Sequence, residues 1–110
     1  MTAVVTKLDF DKKVLKSDKP VLVDLYADWC GQCRMLGPIV DQVNLESEGK
    51  YDIYKLNVDH DPEIAQQYGV MSIPTLLFFK GGQLALQTVG VIKKERIVEE
   101  LEKLKTGHAV

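Results

Sequence analysis

Residues 21 to 36 run Val21-Leu22-Val23-Asp24-Leu25-Tyr26-Ala27-Asp28-Trp29-Cys30-Gly31-Gln32-Cys33-Arg34-Met35-Leu36. The first part, Val21 to Ala27, is almost unbroken apolar sequence with β-branched residues. That composition marks a central strand covered on both faces, as in parallel sheets. The second part begins a helix after Trp29-Cys30. Met35, Leu36, Ile39, Val40, Val43 and Leu45 carry helix-like apolar spacing toward Glu48, where Gly49 is a stop signal. Pro38 falls inside this helix and is expected to kink it. Cys30 and Cys33 therefore sit where a buried strand passes into a helix.

The remaining chain repeats the alternation. Ala3 to Thr6 suits a short first strand. Asp9 to Lys16 suits a helix with Asp9 as N-cap and Phe10, Val14 and Leu15 facing inward. Asp52 to Val58 alternates as a strand. Pro62 to Tyr68 reads as a short helix with Asp61 as N-cap and proline at the first helical position. Thr75 to Lys80 and Leu84 to Val89 read as strands joined by Gly81-Gly82, a two-residue hairpin turn. Lys93 to Lys105 is an amphipathic helix with Ile97, Val98, Leu101 and Leu104 on one face and Lys93, Lys94, Glu95, Glu99, Glu100 and Glu102 on the wet one. The order β-α-β-α-β-α-β-β-α predicts an α/β sandwich with a mixed sheet, because parallel crossovers meet one antiparallel hairpin.

The chain has 110 residues and a net charge of −2. That length suits one domain, 1–110, which buries roughly 65% of the surface its unfolded chain exposes and needs no metal staple. No basic run suggests nucleic acid. The longest apolar stretches fall far short of the about 18 residues of a membrane span. The N-terminus lacks the pattern of a signal peptide, so a cytoplasmic, membrane-free protein is expected, and a monomer.

The chain's two cysteines are Cys30 and Cys33. A disulfide closing so short a loop contributes only about 2 kcal/mol in the chain-entropy model, so it makes a poor staple and a convenient redox switch. A helix N-terminus offers free N–H groups and the positive end of the dipole, which favour a thiolate at Cys30. Cys33, one turn on, is placed to attack a mixed disulfide formed by Cys30. Trp29 would shield the pair and offer apolar contact. Half of a zinc site is the rival reading. It needs two more ligands, and only His60 and His108 remain as histidines, far apart and not spaced as a pair. Asp24 interrupts a run that should be buried, and a buried carboxylate has a raised pKa. Met35 reads as core filler. His60 and His108 read as solvated.

The segment Val23 to Pro38 resembles the active-site region of the thioredoxin family. Lys55-Leu56-Asn57-Val58-Asp59, Tyr68-Gly69-Val70, Ser72-Ile73-Pro74-Thr75-Leu76-Leu77-Phe78-Phe79 and Lys80-Gly81-Gly82 resemble it in the same order and spacing. The resemblance implies a three-layer sandwich with a five-stranded sheet and four helices. It implies a protein-disulfide reductase with Cys30 as nucleophile and Cys33 as resolving thiol. Asp24 would lie beneath the cysteines and help Cys33 lose its proton, with Lys55 as its electrostatic neighbour. Pro74 would be cis and face the cysteines, and the backbone beside it would pair with an extended substrate. Trp29, Gly31, Gln32, Ile73, Pro74 and Gly90 would form the substrate groove, Gly90 keeping it open. The implied partners are disulfide-bearing clients and a thioredoxin reductase. NADPH would act only through that reductase, since this chain shows no glycine-rich nucleotide fingerprint. The redox-active group would be the Cys30–Cys33 disulfide itself.

Two departures stand out. Gln32 occupies a position that is usually proline, restoring an N–H and loosening φ near Cys30; a less reducing potential is the expected result. Tyr26 stands where tryptophan is common and is expected to pack behind the site. Two other readings remain open: an oxidant or isomerase of an oxidising compartment, and a binding module that uses the groove without turnover.

Overall fold

The computed structural model describes residues 2–107. Strand β1 (Ala3–Val4) leads to a short helix α1 (Asp11–Leu15), then β2 (Val21–Tyr26) and the long helix α2 (Gly31–Ser47). Next come β3 (Asp52–Asn57), α3 (Pro62–Gln67), the hairpin β4 (Thr75–Lys80) and β5 (Gln83–Val89), and α4 (Lys94–Thr106). The sheet order is β1-β3-β2-β4-β5. β1, β3 and β2 run parallel, while β4 is antiparallel to β2 and to β5. The mixed five-stranded sheet and the four helices expected from the sequence are both present among the described residues.

Alternation along the strands creates two separate cores. Val21, Val23, Leu25, Leu56, Leu77 and Phe79 meet Phe10, Val14 and Ile64 on the face covered by α1 and α3. Leu22, Ile53, Leu76 and Phe78 meet Leu36, Val40 and Val43 of α2 and Ile97, Leu101 and Leu104 of α4 on the other. This explains why β2 reads as continuously apolar: its alternate side chains fill different layers. Asp24 falls in the same alternation as Leu22, so its carboxylate points to the α2 side.

Three local expectations change. Met35 and Leu45 are 64% and 75% exposed. Leu36, Val40 and Val43 suffice to fill the α2 face, and Met35 is surface rather than core filler. Asp9 does not cap α1. Its carboxylate turns back to accept the Thr6 N–H at 2.8 Å and pairs with Lys13 at 2.8 Å, leaving Phe10 at the cap position. The helix itself is a single wide turn, closed by Lys16 N–H donating to Asp11 C=O at 3.0 Å. Asp61 occupies the cap position of α3, but its side chain accepts the Lys7 N–H at 3.2 Å instead of capping the helix. Pro38 lies within α2, which continues past it to Ser47.

The hairpin turn needs its glycines. Gly81 and Gly82 have φ of +61° and +80°, the left-handed pair that matches strand twist. A Cβ on Gly82 would also lie 2.8 Å from the Leu15 carbonyl oxygen.

Candidate functional site

The site forms where β2 ends. Ala27 is buried, Asp28 and Trp29 reach solvent, and Cys30 takes an extended conformation at the cap of α2. Cys30 and Cys33 are joined in a disulfide with Cα atoms 5.2 Å apart. The Cys33 N–H donates to Cys30 Sγ at 3.2 Å, so the sulfur occupies the place that a serine or aspartate oxygen takes at other helix caps. Both cysteines pack with Ala27 and against Tyr26, Val58 and Ile73. Tyr26 thus lies behind the pair, as expected. Gly31 and Gln32 are exposed on the first turn. The hydrogen bond to Cys30 Sγ comes from the Cys33 amide, a donor that a proline at position 32 would leave in place.

One side of the disulfide is apolar and open. Trp29 is 68% exposed, and its indole N–H donates to Asp59 Oδ2 at 2.8 Å, which fixes the ring despite its exposure. A cleft of about 410 Å³ runs between Trp29 and Ile73, floored by Val58, Ala65 and Val70 and rimmed by Met71 and Ser72. Met71 is 95% exposed. The Ile73–Pro74 peptide is cis, and the Ile73 carbonyl oxygen lies 3.9 Å from Cys30 Sγ. Gly90 N–H donates to Pro74 C=O at 2.8 Å. Gly90 has φ +86°, and a Cβ there would meet no protein atom within 4 Å. Backbone conformation, rather than crowding, demands glycine at this position.

The other side is charged and recessed. A second cleft of about 430 Å³ is lined by Asp24, Tyr26, Cys33, Asp41 and Lys55, among others. Asp24 is 4% exposed, and its Oδ1 has no hydrogen-bond partner. Burial pushes its pKa up to about 7; Lys55 draws it down and Asp41 pushes it up. Lys55 is the register partner of Asp24 on β3, and its ammonium lies 5.5 Å from the centre of the Tyr26 ring. Asp24 and Cys33, separated by the strand–helix junction in sequence, share this cleft.

Among the residues of the site that carried no expected role, two stand out. Asp41 is one; its signal is the spacing Cys33-Gly37-Asp41, which repeats every four residues along one face of α2. Asp59 is the other. Its partnership with Trp29 joins the two loops that follow β2 and β3, and nothing local announces it. His60 is exposed, and His108 lies outside the described residues. Among the described residues, no group of three or more His, Cys, Asp and Glu side chains could hold a metal ion. Among them also, no helix is long and apolar enough to cross a membrane.

The thioredoxin family model matches residues 1–103. The chain is similar to Thioredoxin 1 of Nostoc sp., at 50% identity over 101 residues, covering 92% of this chain and 94% of the relative. It is 48% identical over 102 residues to the thioredoxin of Synechocystis sp., covering 93% and 95%. It is 46% identical over 100 residues to the chloroplastic M-type thioredoxin of Pisum sativum, covering 91% of this chain and 58% of the relative. A cysteine pair closing the cap of α2, inside a sheet of this order and across a match of this extent, makes the chain a thiol–disulfide oxidoreductase that belongs to the thioredoxin family.

Proposed function

We propose that residues 1–110 act as one domain that reduces the disulfides of client proteins, with Cys30 as nucleophile and Cys33 as resolving thiol. The Cys30 thiolate attacks a client disulfide, forming a mixed disulfide and expelling one client thiolate. The Cys33 thiolate then attacks the Cys30 sulfur, forming the Cys30–Cys33 disulfide and expelling the second. The client gains two electrons and, on protonation, two thiols. Asp24 accepts the Cys33 proton for that second step, and Lys55 tunes its affinity for it. A carboxylate with a pKa of about 7 is matched to such work near neutral pH.

Trp29, Gly31, Gln32, Ile73, Pro74 and Gly90 receive an extended client segment. Main-chain pairing beside Pro74 explains how clients of differing sequence are accepted. A thioredoxin reductase restores the dithiol with electrons from NADPH bound to that partner. The protein works as a cytoplasmic monomer in electron transport that maintains redox balance. The observation that carries this reading is the disulfide at the cap of α2, with an open apolar cleft on one side and a buried carboxylate on the other.

The test is insulin reduction coupled to a thioredoxin reductase, followed as NADPH consumption. Turnover that needs this protein, the reductase and NADPH together is expected. An active oxidase of reduced peptides that fails to reduce insulin would reverse the assigned direction.

A further inference from the structure

Asp41 is the one acidic residue in the recessed cleft that stands on α2 rather than on the strand Asp24 occupies or the loop after it. It is half-buried, and its position is held from outside the helix. Thr2 donates to Asp41 Oδ1 twice, from its backbone N–H at 3.1 Å and from its hydroxyl at 2.6 Å. Thr2 is itself buried. Two donors on one oxygen leave the carboxylate little freedom to swing toward bulk water. The segment leading into β1 thereby pins a carboxylate at the cleft that holds Asp24 and Cys33.

Each element around Asp24 contributes differently. β3 supplies the ammonium of Lys55. α2 supplies Asp41, Cys33 and the guanidinium of Arg34, which donates to the Asp28 carbonyl at 2.7 Å. The junction between β2 and α2 supplies Asp28. β4 brings only Leu76 opposite Asp24. Lys55 and Asp41 thus act on a buried, unpaired carboxyl group with opposite signs in a recess where water screens little.

We propose that Asp41, anchored by Thr2, is a positioning residue that sets the pH at which Asp24 exchanges its proton with the resolving cysteine. This deepens the assignment of Asp24 above and rests on it. Asp41 touches neither client nor sulfur in this role and acts through Asp24. The N-terminal segment then does more than complete the sheet edge: it holds part of the electrostatic setting of the second chemical step.

The experiment follows the Asp24 carboxyl carbon by NMR through a pH titration of the disulfide form, where no thiol titrates. A pH–rate profile of single-turnover insulin reduction by the dithiol form runs beside it. Asp41→Asn should lower the Asp24 midpoint by about 0.5 pH unit, and Lys55→Gln should raise it by more. Thr2→Val, which removes only the hydroxyl, should move it in the Asp41→Asn direction by less. The rate profile should shift the same way in each variant, while a merely structural contact would lower stability and leave the midpoint in place. An Asp24 midpoint unchanged or raised in Asp41→Asn overturns the inference, even if Asp24→Asn abolishes the pH dependence of the rate. A shifted midpoint with a rate profile insensitive to Asp24→Asn would instead overturn the catalytic assignment of Asp24, and with it the catalytic meaning of Asp41.

Discussion

The two clefts beside the disulfide are nearly equal in volume, about 410 and 430 Å³, and opposite in character. The Trp29–Ile73 cleft is apolar, rimmed by exposed side chains and adjacent to Cys30. The Asp24–Lys55–Asp41 cleft is charged, recessed and adjacent to Cys33. Each sulfur thus has its own environment, although the two lie one helical turn apart. In the proposed mechanism, recognition and first attack need an accessible apolar surface that tolerates many clients. In that mechanism the second step needs a base whose pKa lies near neutrality, and shielding from water is what raises the Asp24 carboxylate to that range. A single cleft could not supply both.

The comparison can be broken most forcefully at Cys33. Cys33→Ser removes the sulfur proposed to resolve the mixed disulfide and leaves the apolar cleft in place. Turnover should stop, and mixed disulfides between Cys30 and clients should accumulate, visible as reductant-sensitive adducts on non-reducing gels. Full function without adducts would mark the protein as a binding module instead.

Asp24→Ala comes next, and it should act in opposite directions on stability and rate. Asp24 has its pKa raised from 3.8 to about 7 in the folded chain. The native state therefore holds this proton more tightly than the unfolded state does. Its contribution is fully present below about pH 4 and is lost as pH rises through 7, leaving a buried carboxylate. Above pH 7 the variant should be more stable than the parent by up to about 4 kcal/mol, less whatever cavity the truncation leaves. Reduction of clients at neutral pH should slow by at least about tenfold. Denaturant melts at pH 5 and 8, beside the insulin assay, measure both. A stability difference independent of pH would contradict the buried-carboxylate account.

Met71→Glu sharpens the contrast from the other side. A charge on the rim of the apolar cleft should raise KM for clients with apolar residues beside their cysteines, by about tenfold. The pH–rate profile should not change, since Asp24 faces the opposite cleft. A shifted profile with unchanged KM would erase the division of labour between the clefts.

Gln32→Pro should have the smallest effect. It removes the position-32 amide and restrains φ, which favours a more negative reduction potential. The Cys33 amide still donates to Cys30 Sγ at 3.2 Å. The shift should therefore stay within about 30 mV, a tenfold change in equilibrium constant. Equilibration with glutathione buffers gives the value, and a shift to less negative potential would reject the account.

Sequence alone carried the element order, the strand-to-helix placement of Cys30 and Cys33, and the Gly81-Gly82 turn. These depend on periodicity and on backbone freedom within a few residues, both legible along the chain. The presence of Asp24 in a buried strand was legible for the same reason. The cis geometry at Pro74 came from resemblance, not from local rules.

What tertiary structure alone decided is which side chains face one another across the sheet and its helices. Leu45 and Met35 fit the apolar spacing of α2 yet remain exposed, because the area that the sheet and α4 offer is already filled by Leu36, Val40 and Val43. Asp61 and Asp9 sit near helix starts but bond to Lys7 and Thr6 instead. Asp59 finds Trp29, and Asp41 finds Thr2 from 39 residues away. Hydrogen bonds and Coulomb fields act through space and depend on distance, which a linear pattern does not encode. Local chemistry was thus written in the order of residues, whereas the two electrostatic environments of the sulfurs arose only when distant segments were packed together.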